Sequence, residues 1–216
     1  MRAAMGNSMT FLRWRAGAGH AIGNTLAGGG FPWNGQWARA GSRSMATTDS
    51  HPTNGTRRRL HNEDWGFDSS CFVCEPRNGG GLQIPFHHDT ERDVVVATFN
   101  LGPRFSGAPS YGHGGITLAI LDEAMAWAAI AVGGKFAVTV ETTTGFERPV
   151  LIGKDHLVEA RLVAQDDERI EAMATVSDGA GKGCAHATAT FTILGEAQAV
   201  RATGADPAAL DPSFVR

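Results

Sequence analysis

The apolar positions of this chain fall into two kinds of pattern, and where one gives way to the other defines the fold. Between 116 and 132 the sequence ITLAILDEAMAWAAIAV is apolar almost without interruption and long enough for about five helical turns. Its only charges are the neighbouring carboxylates Asp122 and Glu123. After Gly133-Gly134, which suit a helix stop, the pattern becomes strand-like. Residues 136–146 are β-branched, and 157–164 alternate Val158, Ala160 and Leu162 with Glu159 and Arg161. Residues 169–176 set Ile170, Ala172, Ala174 and Val176 on one face, and 184–194 set Ala185, Ala187, Ala189, Phe191 and Ile193 against His186 and three threonines. Ahead of the helix, 82–88 and the Val-rich 93–101 read as two more strands. The breaks at 149–153, Asp166-Asp167 and Asp178-Gly179-Ala180-Gly181 are turn sequences.

Strands grouped on both sides of one helix, without strand–helix alternation, imply an α+β fold. The short late connections imply antiparallel pairing. The expected architecture is an antiparallel sheet of about six strands curled around one long central helix. The expected division is an N-terminal extension over 1–65, a folded domain over 66–195 and a flexible tail over 196–216. The extension holds Arg2, Arg13, Arg15, Arg39 and Arg43 and no acidic residue before Asp49. A disordered extension, a transit segment and an upstream start ahead of Met45 all suit that composition. The tail is rich in Ala, Asp and Pro, with little to bury.

Composition narrows the function classes. Hydrophobic residues make up 42% of the 216 and charged ones 19%, with net charge −3 and pI near 6.2. A general attraction to nucleic acid is not expected, nor is a charge-free membrane span, because Asp122 and Glu123 interrupt the longest apolar run. Three cysteines, Cys71, Cys74 and Cys184, form no disulfide framework and suit a reducing, cytoplasmic setting; mitochondrial placement is the alternative if the basic N-terminus is a transit peptide. Cys71-Phe72-Val73-Cys74 offers two zinc ligands. Structural zinc usually takes four, and only Cys184, His87 and His88 stand as further candidates, so no metal is expected. No GxSxG elbow or serine triad is present.

The chemistry gathers at the helix start. Tyr111-Gly112-His113-Gly114-Gly115 feeds the chain into the helix, whose first N–H groups are unpaired and favour negative charge. At about 100° per residue, Asp122 has Leu118, Ala119, Met125 and Ala126 as neighbours, and Glu123 has Ala119, Ile120, Ala126 and Trp127. A carboxylate among apolar side chains should have a raised pKa and is a candidate base or nucleophile.

His113-Gly114-Gly115 followed at the right interval by Asp122, Phe146-Glu147-Arg148-Pro149 and the Cys71 to Leu82 lead-in together resemble the hotdog-fold thioesterases. Within them the similarity is to the PaaI-like and THEM branch, over about residues 70–195. The resemblance implies hydrolysis of an acyl-CoA or acyl-carrier thioester, in fatty acid metabolism, with no cofactor beyond the coenzyme A of the substrate. It implies a homodimer or dimer of dimers with active sites between subunits. Gly115, helped by Gly114, would polarise the thioester carbonyl through backbone N–H groups. Asp122 of the other subunit would be the nucleophile or the base that activates water. Thr139 matches a polar position near that water, and His113 would position the thioester. Glu123 is a lower-ranked substitute for Asp122, and Arg148 and Lys154 are candidates for coenzyme A phosphates. Met125, Trp127 and Phe136 are expected in the acyl pocket wall. The competing readings are a hotdog hydratase or dehydratase, which would pair a histidine with a helical carboxylate, and a non-catalytic thioester-binding module.

Overall fold

A computed structural model describes residues 56–206 and 211–216. The expected extension over 1–65 mostly lies outside these residues, but its last part is structured. Arg57–Arg59 form strand β1, followed by a short 3-10 turn at Asn62–Trp65. Then come β2 (His87–Asp89), β3 (Val94–Asn100), a small hairpin of β4 (Ser106–Ala108) and β5 (Tyr111–Gly112), and helix α1 (Gly114–Ala131). Strands β6 (Ala137–Phe146), β7 (Asp155–Gln165), β8 (Arg169–Asp178) and β9 (Gly183–Ile193) follow, and α2 (Glu196–Thr203) closes the order.

Seven strands make one antiparallel sheet in the order β1-β2-β3-β7-β8-β9-β6. The alternation read in β7 to β9 is the reason for its one-sided burial. Val158, Ala160, Ile170, Ala172, Ala174, Val176, Ala185, Ala187, Phe191 and Ile193 are almost wholly removed from solvent. Helix α1 lies on that face with Ile120, Leu121, Ala124, Met125 and Ala128 at zero exposure. By length and composition α1 is apolar enough to cross a membrane. Here that apolarity serves packing, since α1 contacts β3, β6, β7, β8 and β9. The turns carry their own locks. Asp166 Oδ1 accepts from the Glu168 and Arg169 N–H groups, and Asp178 Oδ1 accepts from Ala180 and Lys182. These are the local side-chain bonds that make Asp a turn residue.

Two expectations are corrected. The strand read over 82–88 forms only at His87–Asp89. Upstream, Gln83 has a left-handed φ of 55°, and the Leu82 and Ile84 N–H groups bond to the carbonyls of Phe72 and Val73. The run therefore pairs with the cysteine-bearing turn instead of extending the sheet. The segment after 195, expected to be loose, holds α2 and docks. Phe136, Leu194 and Ala199 form a second small core, joined by Phe67, Val200, Phe214 and Val215. Lys135 Nζ donates to the carbonyls of Ser213 and Val215 at 2.7 and 2.9 Å. A few apolar groups suffice because Phe136, at 5% exposure, waits for them at the end of the helix. Phe136, expected in the acyl pocket wall, packs in this second core, and Met125 is interior.

The Phe136→Ala variant should lose about 3–5 kcal/mol of stability in chemical denaturation. Limited proteolysis should then cut the segment after residue 195 well before the sheet.

Candidate functional site

The start of α1 is fixed from three sides. The Gly112 N–H bonds to the Val150 carbonyl at 2.7 Å and the His113 N–H to the Phe105 carbonyl at 2.9 Å. His113 is the N-cap, and its Nδ1 accepts from the Gly115 N–H at 3.0 Å. The Ile116 and Thr117 N–H groups both bond to the His113 carbonyl. Of the first four helical N–H groups, Gly114's alone has no acceptor among the described residues. The N–H assigned to polarise a carbonyl, that of Gly115, is thus already engaged by an imidazole nitrogen. Gly114 lies open beside it, and a Cβ there would come within 3.6 Å of the Phe146 ring. Gly112, Gly114, Thr117 and residues 146–150 line a cleft of about 240 Å³ at this end of the helix. Arg148 stands in its wall, donating to the Gly183 carbonyl at 2.6 Å.

Asp122 lies two turns further along α1. Its Oδ1 accepts the Thr139 hydroxyl at 2.9 Å. Thr139 comes from β6, the edge strand of the sheet, where the register with β9 shifts between Thr139 and Glu141. Such a bulge places two residues opposite one and re-aims side chains. Thr139 pairs with Phe191, whose side chain is fully buried on the helix-facing side, so Thr139 shares that side and reaches Asp122.

Glu123 turns elsewhere. Cys71 Sγ stands 3.4 Å from Glu123 Oε1, and the Val73 and Cys74 N–H groups both donate to Cys71 Sγ. The Cys74 thiol bond to Cys71 is the largest influence holding the Cys71 thiol down at about 5, and the same bond, with burial, pushes Cys74 up. Burial first, then the Cys71 charge, raises Glu123 to about 8. For Glu123 this is the raised carboxyl anticipated on the helix.

The predicted residues sort into separate groups. Asp122 and Thr139 meet; Gly114 and Arg148 share the cleft; His113 and Gly115 cap the helix; Glu123 joins the two cysteines. Lys154 is exposed just ahead of β7 and joins none of these groups. Sequence reasoning missed the link from the cysteine turn to Glu123, a contact across 52 positions that no local pattern announces. It also missed His113 as a cap, although a polar residue one position ahead of a helix is the usual signal.

Replacing His113 with Ala should cost about 0.5–2 kcal/mol, the usual worth of an N-cap. Denaturant unfolding monitored by far-ultraviolet circular dichroism measures it, and an unchanged midpoint would rule out the cap.

Residues 111–185 match the family model of the thioesterase superfamily, a span from Tyr111 ahead of α1 to Ala185 in β9. A solved thioesterase superfamily protein matches with 23% identity and a TM-score of 0.51, over 54% of this chain and 57% of that one. The chain thus spans little more than half of that relative. A Streptococcus mutans protein solved with acetyl CoA bound has 21% identity and a TM-score of 0.46, over 48% of this chain and 82% of its own. The Escherichia coli PaaI protein of the phenylacetic acid degradation operon has 21% identity and a TM-score of 0.44, over 46% and 75%. No curated protein sequence matches. The fold built around α1 is the hotdog fold, and its stretch from Tyr111 to Ala185 carries the thioesterase-superfamily pattern.

Proposed function

We propose that the protein is an acyl-CoA thioesterase acting as a homodimer or a dimer of dimers, with each active site built from two copies. The observation that carries this reading is the Asp122 carboxylate held by the Thr139 hydroxyl at 2.9 Å on a helix whose one other charged residue is Glu123. A carboxylate so oriented can take a proton from water or attack a thioester carbon.

Gly115 and Asp122 are seven residues apart on one helix. At about 1.5 Å per residue that is about 10 Å, too far for both to act on one carbonyl, whose carbon and oxygen need partners within about 3 Å. A helix start from a second copy removes the difficulty. Strand β6 supports that arrangement. It is a ten-residue edge with Val138 and Val140 exposed at 44% and 58%. An edge of that length with apolar side chains is a template for another strand.

In this mechanism the thioester oxygen takes the place of His113 Nδ1 on the Gly115 N–H, with the Gly114 N–H beside it. Water attacks the thioester carbon as Asp122 accepts its proton, and Thr139 holds the carboxylate in line. The tetrahedral intermediate collapses with release of the thiol, protonated from Asp122. Arg148 at the cleft and the exposed Lys154 attract the coenzyme A phosphates. Only the chain's own groups and water take part. A hydratase or dehydratase would pair a histidine with a carboxylate on this helix, and α1 contains no histidine.

Wild type should release thiol from at least one member of an acyl-CoA panel spanning aliphatic and aryl acyl groups, read with a disulfide reagent. The Asp122→Asn variant should stay folded and lose at least about 10²-fold in kcat/KM. The Thr139→Val variant should lose about tenfold, near one hydrogen bond's worth. No hydrolysis of any member, with binding retained, would favour the thioester-binding module. A strictly monomeric protein in light scattering would overturn the shared site.

A further inference from the structure

We infer that Cys71, Cys74 and Glu123 form a binding site for one thiophilic divalent cation, with zinc as the natural fit, that fastens the cysteine turn to the central helix. Their ligating atoms all lie within 4.8 Å of one another. In tetrahedral zinc with Zn–S of about 2.3 Å and Zn–O of about 2.0 Å, the sulfur–oxygen edge is about 3.5 Å. The Cys71 Sγ to Glu123 Oε1 separation is 3.4 Å. Two thiolates and one carboxylate make a donor set that selects zinc or cobalt over magnesium and calcium.

The turn is built to present sulfur. The Val73 and Cys74 N–H groups point at Cys71 Sγ from 3.3 and 3.4 Å, the kind of outer support that metal-bound ligands carry. The turn is held from behind by the Leu82 and Ile84 N–H groups on the carbonyls of Phe72 and Val73. The packing is close enough that a Cβ at Gly81 would overlap the Phe72 carbonyl oxygen. Glu123 has no cationic side chain paired with it among the described residues, whereas Glu75 and Asp89 each have an arginine. A cation between the three ligands supplies that missing charge. Three ligands leave a fourth position. Cys74 borders a cavity of about 240 Å³ with His61, Glu75, Arg77 and Trp127, from which water completes the tetrahedron. This assignment replaces the expectation of no metal, which counted thiols and imidazoles and left out the carboxylate of α1.

The test uses the full chain, purified under reducing conditions, stripped with a chelator and titrated with Co²⁺ alone. Saturation at one cobalt per chain is expected. A thiolate-to-cobalt charge-transfer band and the visible bands of a tetrahedral site should appear, and Zn²⁺ should abolish both. Cys74→Ser should lose the charge-transfer band. Glu123→Gln, nearly isosteric and judged folded by circular dichroism, should bind cobalt at least about tenfold more weakly. Should Cys74→Ser fail to fold, the wild-type titration and Glu123→Gln still decide the matter. Absence of a band in wild type, undiminished affinity in Glu123→Gln, or a Cys71–Cys74 disulfide found by mass spectrometry in the reduced preparation would each overturn the site.

Discussion

A carboxylate on an apolar helix must be met by groups brought to it from elsewhere in the chain. Helix α1 carries two, side by side, and the fold answers them in opposite directions. Asp122 receives a hydroxyl from the strand that follows the helix. Glu123 receives a thiol from the turn between β1 and β2. Successive helical side chains diverge by about 100°, so the two acids face different surroundings although they are adjacent. One is held by a neutral donor near the open edge of the sheet; the other is drawn into a sulfur-rich corner. Their different environments set their different chemistry.

The sheet makes this arrangement possible. Its helix-facing side is built largely of alanine and valine in β7, β8 and β9, and small side chains let the helix settle close to the sheet. The long strand β6 ends the sheet, with β9 as its one strand partner among the described residues. The open end of α1 and the edge at β6 are the two features on which the proposed second copy rests, one through the distance along the helix and the other through an edge strand.

Much of this was legible in the sequence. Period-2 alternation gave β7, β8 and β9 nearly to the residue, and the unbroken apolar run gave α1, because burial against one face leaves a periodic trace. The helix start and the acidic pair on α1 were legible because glycines and charges inside an apolar run are local signals. The failures were all long-range or cooperative. Residues 82–86 have strand composition, yet the Leu82 and Ile84 N–H groups serve the carbonyls of Phe72 and Val73. The tail after 195 looked too polar to pack, yet Phe136 and Lys135 hold it from sixty or more residues away. The pairing of Cys71 with Glu123 was invisible because proximity across such a span is a property of the fold and leaves no spacing behind.

The register shift in β6 has a consequence for reading this strand. Before Val140, the positions paired with inward residues of β9 are odd-numbered, Ala137 and Thr139; after it they are even-numbered, Thr142, Thr144 and Phe146. The strand is two reading frames spliced at one residue. Removing Val140 would close the splice into a regular ladder in which Thr139 and Thr142 stand two positions apart, so the inward positions on both sides would keep the same face. Val140 is the one residue the ladder does not count, and because it is bulged out a threonine faces the helix at 139 and the three inward positions beyond the splice keep that side although their parity has changed.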